Sequence, residues 1–174
     1  MKIGIISDTH DNLAQVEKAV KFLQKENVQL IIHCGDWVSP FVPQFIYSLK
    51  PKLTIPIKSV FGNSEGDHFR FLERKEKEGW PIEFYKEAFE LEIDNKKIVV
   101  YHGSTSIITD SLIKSGKFNA VFTGHNHQAV IETINNVLHI NPGSVAGYCQ
   151  GKITNNSTLA IYDSKTNTTE LFKL

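Results

Sequence analysis

Seven residues whose side chains suit metal binding occur in five short motifs along this chain. Each motif directly follows a run of apolar residues that predicts a buried β-strand. The motifs are Asp8-Thr9-His10, Gly35-Asp36, Gly62-Asn63, His102-Gly103 and Gly124-His125-Asn126-His127. Because the loops after the carboxyl ends of strands form the ligand sites of α/β folds, we expect these side chains to converge at one edge of the molecule.

The types of these ligands indicate the class of metal. A set of Asp, Asn and His without a thiolate suits Mn²⁺, Fe²⁺, Co²⁺, Ni²⁺ or Zn²⁺. Seven ligands are too many for one tetrahedral zinc ion. They suit two divalent ions that share a carboxylate and lie about 3.5–4 Å apart. Such a pair can hold a phosphate group and activate water, so the pattern predicts hydrolysis of phosphate esters.

Each motif also has a simpler interpretation when it is taken alone. An Asp-x-His pair is frequently incidental, Gly-Asp and Gly-Asn are common in turns, and His102 fits a hydrogen-bonded core histidine. Gly-His-x-His is more specific, since imidazoles two positions apart on a loop can face one ion. The order of all five motifs, each after a predicted strand, favours the metal site.

The elements that must position these motifs follow from the pattern of apolar residues. Strands are predicted at residues 2–7, 28–33, 53–61, 87–93, 98–102, 119–123, 129–134, 137–140, 159–162 and 169–172. Helices are predicted after a cap at Asp11-Asn12 and at residues 40–49, 67–79 and 107–116. Pro43 fits its helix only in the first turn. Pro56 inside the third strand indicates an edge strand or a bulge.

The ordered motifs resemble the calcineurin-like metallophosphoesterase family from residue 7 to about residue 147. The segments Ser7–His10, His33–Asp36 and Asn141–Ser144 are similar to its small bacterial and archaeal phosphodiesterase branch. The resemblance implies an α/β fold, namely a four-layer α/β/β/α sandwich of two mixed sheets flanked by helices. It also implies a single metallophosphoesterase domain over residues 1–174.

The resemblance assigns a role to each motif. It implies that Asp8, His10 and His127 hold a first ion. Asn63, His102 and His125 would hold the second. Asp36 would bridge the two ions, and Asp36, Asn63 and His102 would act most directly in catalysis. A water molecule activated by the two ions would then attack phosphorus in line.

One position departs from the pattern of many family members. These have a histidine after Gly-Asn that stabilises or protonates the leaving group, and here the position is Ser64. Serine is no acid near neutral pH, so we expect a phosphodiesterase that prefers esters whose leaving group needs little protonation. The small phosphodiesterase branch often lacks this histidine as well. His33 and His68 are candidate substitutes, although packing explains His33 better and an exposed helix explains His68 better.

Weaker candidates for substrate contact are Ser64, Arg70, Asn141 and Ser144. Asn141-Pro142-Gly143 is equally a simple turn, and Arg70, with its neighbour Phe69, lies on a charge-rich segment typical of an exposed helix face. Cys34 lies beside the predicted site, but we expect it to be packed in the core because harder ligands already fill the site.

Bulk properties limit the partners and the location. The formal net charge is zero, which gives no long-range attraction for nucleic acid or an anionic membrane. We expect neither a signal peptide nor a membrane span, and the two cysteines form no C-x-x-C pair, which favours a cytoplasmic protein.

The expected partner is a small phosphate ester, a nuclease is disfavoured, and homo-oligomer formation stays open. The alternative function is a non-catalytic scaffold of the same fold, as in the retromer subunit that resembles this family.

Overall fold

The computed structural model describes residues 1–149 and 152–174. Two sheets and a short hairpin contain the strands. The strands of the larger sheet are β1 (Lys2–Ile6), β2 (Leu30–His33), β3 (Ile57–Val60), β4 (Ile82–Tyr85), β12 (Thr158–Asp163) and β13 (Thr168–Lys173). Those of the smaller sheet are β5 (Ala88–Ile93), β6 (Lys96–Tyr101), β7 (Ala120–Phe122), β8 (Ala129–Ile134) and β9 (Val137–Pro142). The hairpin pairs β10 (Tyr148–Cys149) with β11 (Lys152–Ile153).

Four helices lie among the described residues, and capping residues set the limits of two of them. They are α1 (Leu13–Lys25), α2 (Phe41–Ser48), α3 (His68–Glu78) and α4 (Ser106–Lys114). The Asn12 side chain caps α1 by accepting from the Gln15 N–H, and Asp67 caps α3 in the same way. Gly79 ends α3 in the left-handed conformation. Pro43 occupies the first turn of α2, as its sequence requires.

The layers stack as helices, sheet, sheet and helix. The larger sheet has the order β13-β12-β1-β2-β3-β4 and the smaller one β5-β6-β7-β9-β8. Apolar residues of the two sheets, such as Ile5 and Ile32 from one and Val100 and Ile140 from the other, form a core between them. A second core lies between the larger sheet and α1, α2 and α3, and a third contains Ile113 of α4. The predicted four-layer α/β/β/α sandwich is confirmed.

Both sheets are mixed, and their parallel strands determine where the motifs lie. β1, β2, β3 and β4 run parallel, as do β6, β7 and β9, whereas β12, β5 and β8 run antiparallel to β1, β6 and β9 respectively. Each of the five motifs follows or ends a parallel strand at its carboxyl end. The topology therefore brings the five loops to the same edge of the sandwich.

Two sequence predictions about strands were wrong. β3 begins only at Ile57, so Pro56 lies before the strand, where its carbonyl accepts from the Ile31 N–H at 3.0 Å. β3 is also an interior strand between β2 and β4 and not an edge strand. β4 was not predicted, because Ile82–Tyr85 is short, follows Pro81 and buries only part of its residues.

Other features of the chain follow the sequence more closely. Asn135 and Asn136 have φ of 50° and 65° in the turn between β8 and β9, as a tight two-residue hairpin requires. Cys34 is a buried free cysteine, whereas the side chain of Cys149 lies outside the described part of the structure. Within the described residues, no helix is long and apolar enough to cross a membrane.

Candidate metal centre

Four of the predicted ligands form a compact group at the edge of the sandwich. In Asp8, His10, Asp36 and His127, one ligand atom of each residue lies within 4.8 Å of the others. The His127 Nε2 atom lies 3.1 Å from His10 Nε2 and 3.2 Å from Asp8 Oδ1. The Asp36 Oδ2 atom lies 3.5 Å from His10 Nε2. These distances allow one ion to contact all four side chains.

The remaining three ligands form a second group on the other side of Asp36. Asn63 Oδ1 lies 3.0 Å from His102 Nε2 and 2.8 Å from His125 Nδ1. His102 Nε2 in turn lies 3.3 Å from Asp36 Oδ1. The two oxygens of Asp36 therefore face the two groups separately.

Hydrogen bonds behind the imidazoles determine which ring atoms face the centre. The Nδ1–H of His127 donates to the Tyr148 carbonyl at 2.8 Å, and that of His102 donates to the Cys34 carbonyl at 2.7 Å. A backbone carbonyl only accepts, so in the neutral rings Nε2 carries the lone pair and points inward. Metal-binding histidines are commonly oriented in this way.

The inward-facing atoms are mostly acceptors, and this fits a cation. The buried Asp8 Oδ1 has no hydrogen-bond donor among the described residues, although His127 Nε2 is close to it. His102 Nε2 likewise faces two oxygen atoms of Asn63 and Asp36. Acceptor atoms that face each other at such distances need positive charge between them. The residues present therefore fit divalent ions.

The backbone of these loops is unusual as well. Five of the seven predicted ligands have positive φ: Asp8 (53°), His10 (39°), Asp36 (61°), His125 (73°) and His127 (58°). This conformation is uncommon outside glycine and costs free energy, so such residues cluster at functional sites. Hydrogen bonds between the first two loops offset the strain, with the Asp8 N–H donating to Gly35 O and the His10 N–H to Asp36 O.

The sequence profile of the calcineurin-like phosphoesterase superfamily domain matches residues 1–167. The chain belongs to this superfamily. The predicted resemblance and the prediction of a metal-dependent phosphoesterase are thereby confirmed.

Relatives support the same assignment. A phosphodiesterase of Methanocaldococcus jannaschii is 36% identical over 156 residues, which cover 87% of this chain and 88% of the relative. A solved structure of an archaeal phosphodiesterase superposes with a TM-score of 0.85 and 35% identity over the full length of both chains. Wild-type Vps29 of Entamoeba histolytica, complexed with Zn²⁺, has a TM-score of 0.69 and 15% identity, covering 100% of this chain and 98% of the other. That last similarity shows the shared fold only.

The electrostatics of this phosphoesterase centre depend on carboxylates held close to imidazoles. Burial alone would raise the pKa of Asp8, but the nearby imidazoles of His10, His127 and His102 outweigh burial and lower it to about 2. Burial likewise opposes ionisation of Asp36, while His102 and Ser64 hold its pKa well below the usual range. Both carboxylates are thus charged at neutral pH, as metal ligands must be.

Glu65 belongs to the site although sequence reasoning missed it. It is 8% exposed and accepts from the Trp37 N–H and the Gly62 N–H, both at 2.9 Å. It therefore joins the loop after β2 to the loop after β3. No sequence signal separates Glu65 from an ordinary loop carboxylate, because its partners are backbone groups of distant residues.

Glycine is required at Gly62 by the crowding of the ligands. A Cβ added there would collide with Asp36 Oδ1 and would lie 2.8 Å from His102 Nε2. At Gly66, by contrast, a Cβ would meet no atom within 4 Å. The chain passes this close to the ligands only because residue 62 has no side chain.

Of the weaker candidates, two lie beneath the metal centre. The Ser144 hydroxyl donates to the Asp8 carbonyl at 2.9 Å, and the Asn141 amide donates to the Gly124 carbonyl at 2.7 Å. Both residues are 1% exposed, so they can support the loops of Asp8 and His125. Arg70 instead lies on α3 with its side chain 58% exposed and paired with Glu73.

Of the two candidate substitutes for a leaving-group acid, His33 is packed in the core and His68 lies exposed at the start of α3. His33 is fully buried, stacks on Trp37 with ring centroids 3.6 Å apart, and accepts from the Gly35 N–H. Burial lowers the pKa of His33 to about 3. His68 stacks on Phe61 with centroids 4.2 Å apart, next to the exposed Phe69.

Proposed function

We propose that this protein is a phosphodiesterase that binds two divalent ions. The first ion is held by Asp8, His10 and His127, and Asp36 is shared between both ions. Asn63, His102 and His125 hold the second. The observation that carries the proposal is the position of the Asp36 carboxylate, whose two oxygens lie 3.5 Å from His10 and 3.3 Å from His102.

The metal ions would be Mn²⁺, Fe²⁺, Co²⁺, Ni²⁺ or Zn²⁺, since all ligand atoms are oxygen or nitrogen. When bound, such a pair activates water and neutralises charge on the phosphoryl oxygens. The residues of the chain do the positioning. The carbonyls of Cys34 and Tyr148 fix the rings of His102 and His127, and Glu65 fixes the loop that carries Asn63.

Ser64 supports a preference for diesters with good leaving groups. Its hydroxyl donates to Asp36 Oδ2 at 2.9 Å, and its N–H donates to Asp36 Oδ1 at the same distance. Ser64 therefore orients the bridging carboxylate and has no acidic proton for a leaving alkoxide. The similarity to relatives named phosphodiesterases supports the same substrate class.

A non-catalytic scaffold is the competing proposal, and the ligand set does not favour it. The likeness to Vps29 rests on 15% identity and concerns the fold. A scaffold has no need of seven such side chains at one edge, five of them in strained backbone conformations.

The test is hydrolysis of bis(p-nitrophenyl) phosphate by protein freed of metal with EDTA and then supplied with one metal at a time. We expect no turnover without metal and recovery with Mn²⁺ or Ni²⁺. Failure with all five metals, in protein whose thermal unfolding shows it to be folded, would favour the scaffold.

A further inference from the structure

A cavity of about 350 Å³ lies directly beside the metal centre. Polar side chains from the loop after β6, from α4, from the loop after β7 and from β9 line its walls, among them Ser104, Ser106, Thr109, Thr123, His139 and Asn141. We refer to it as the hydroxyl-lined cavity. His125 belongs both to this wall and to the second ligand group, and Gly103 follows the predicted ligand His102. The cavity therefore opens next to the place where phosphorus would be bound.

One wall of the hydroxyl-lined cavity is the amino-terminal part of α4. Ser106 and Thr109 are three residues apart on this helix, so their hydroxyls lie on the same face. Both residues line the cavity. The Thr109 hydroxyl oxygen is buried and has no hydrogen-bond partner among the described residues, so it does not reach the cavity. Ser106 is exposed, and its hydroxyl is the one on this helix that can donate to a ligand in the cavity or accept from it.

The opposite wall contains a hydroxyl whose direction is determined. The Glu132 carboxylate lies 2.9 Å from His139 Nδ1, and His139 Nε2 lies 2.9 Å from the Thr123 hydroxyl. Because a carboxylate accepts, Nδ1 carries the ring proton and Nε2 accepts from Thr123. The Thr123 oxygen thus presents its lone pairs, and it is an acceptor for a hydroxyl donor.

The described lining of the cavity offers no unpaired charged side chain, which favours a neutral ligand group. Neither lysine nor arginine is among its described lining residues, so a second phosphate would find no partner. The one carboxylate in the lining, Asp110, is paired with Lys114 at 3.0 Å. A neutral group with several hydroxyls matches both the donors and the acceptors of these walls.

A second cavity, near the first ligand group, has a different character. It measures about 480 Å³ and is lined by Leu13, Phe41 and Phe45 together with a few polar residues. None of its described lining residues is a predicted ligand. The polar cavity is therefore the one in direct contact with the centre.

We propose that the hydroxyl-lined cavity binds the neutral, hydroxyl-bearing organic group of the substrate, as found in a sugar or glycerol phosphate diester. This inference rests on the proposed phosphodiesterase function and adds its substrate class. Ser106 and Thr123 are the residues that recognise the hydroxyls.

The experiment compares two product-like monoesters of equal charge, glycerol 1-phosphate and ethyl phosphate, in protein loaded with Mn²⁺. Their binding is measured by calorimetry and by inhibition of bis(p-nitrophenyl) phosphate turnover. We expect glycerol 1-phosphate to bind more tightly, by roughly twofold to tenfold for each hydrogen bond to a hydroxyl. The double variant Ser106→Ala/Thr123→Val should abolish the preference without weakening ethyl phosphate.

Ser111→Ala is the matched control, since Ser111 lies on the same helix and lines a different cavity. It should leave the preference for glycerol 1-phosphate intact. Equal binding of the two monoesters to the wild type would overturn the inference, and so would a preference that survives in the double variant. Absence of turnover with any metal would instead count against the proposed function. Calorimetry would still measure the binding of the two monoesters, so the inference about the cavity could be tested separately.

Discussion

Replacing Asp36 by asparagine removes one negative charge from the middle of the metal centre and leaves its shape nearly unchanged. Asp36 is 2% exposed and accepts from both the N–H and the hydroxyl of Ser64. Asparagine can accept from that N–H and donate to the hydroxyl oxygen. We therefore expect Asp36→Asn to fold like the wild type when metal is absent.

The magnitude follows from the position of the charge. The carboxylate lies within 3.5 Å of ligand nitrogens from both groups. At 4 Å and an effective dielectric constant of about 20, two unit charges interact by about 4 kcal/mol. A divalent ion loses at least this much, which corresponds to roughly thousandfold weaker binding. Because the carboxylate faces both groups, both ions should be affected.

Metal content per chain, measured by mass spectrometry after dialysis, and turnover of bis(p-nitrophenyl) phosphate are the two readouts. Asp163→Asn is the matched control, since Asp163 lies opposite Lys2 in the strand register, at the end of β1 far from the metal centre. It should keep both metal and turnover. If Asp36→Asn retained two ions and full turnover, the bridging assignment would be refuted. Loss of a single ion would mean that Asp36 binds one ion only.

Three further changes test other parts of the account. Gly62→Ala should displace Asp36 and lower metal content, whereas Gly66→Ala, with open space around it, should not; equal effects would contradict the crowding argument. Ser64→His should raise turnover of diphenyl phosphate relative to bis(p-nitrophenyl) phosphate by at least about tenfold, since general acids contribute roughly 10²–10⁴-fold, and an unchanged ratio would remove the leaving-group argument. Burial lowers the pKa of His33 from its ordinary value of 6.5 to about 3 in the folded protein. Between these two values the unfolded state binds more protons than the folded state, so the free energy of unfolding decreases as the pH falls. His33→Phe should remove a slope of about 1.4 kcal/mol per pH unit in that window, as urea unfolding of the metal-free protein would measure.

The positions of the predicted ligands could be found from the sequence because each follows a short apolar run. Asp8 comes after Lys2–Ile6 and Asp36 after Leu30–His33, and parallel strands bring their ends together. The structure places all seven predicted ligands at one edge. Their roles as metal ligands stay a prediction until metal is measured.

The groups that orient the ligands could not be found in this way. His102 and His127 are oriented by backbone carbonyls of Cys34 and Tyr148, and every residue has such a carbonyl. Glu65 acts through backbone N–H groups, one of them 28 residues away in sequence. Only the folded arrangement distinguishes these atoms from the rest.

The first and last residues of a strand were harder to predict than the presence of the strand. Pro56 indicated an edge strand or a bulge, but the strand starts after it and lies inside the sheet. β4 escaped detection because Glu83 is exposed and the strand has only four residues. Local patterns do not report the pairing partners that stabilise such short strands.

Anomalous diffraction from crystals grown with Mn²⁺ locates the bound ions and so decides whether Asp36 is shared between them. We expect two peaks about 3.5–4 Å apart, both in contact with Asp36. One should lie among Asp8, His10 and His127 and the other among Asn63, His102 and His125. A single peak, or two peaks of which one lies away from Asp36, would contradict the shared-carboxylate arrangement.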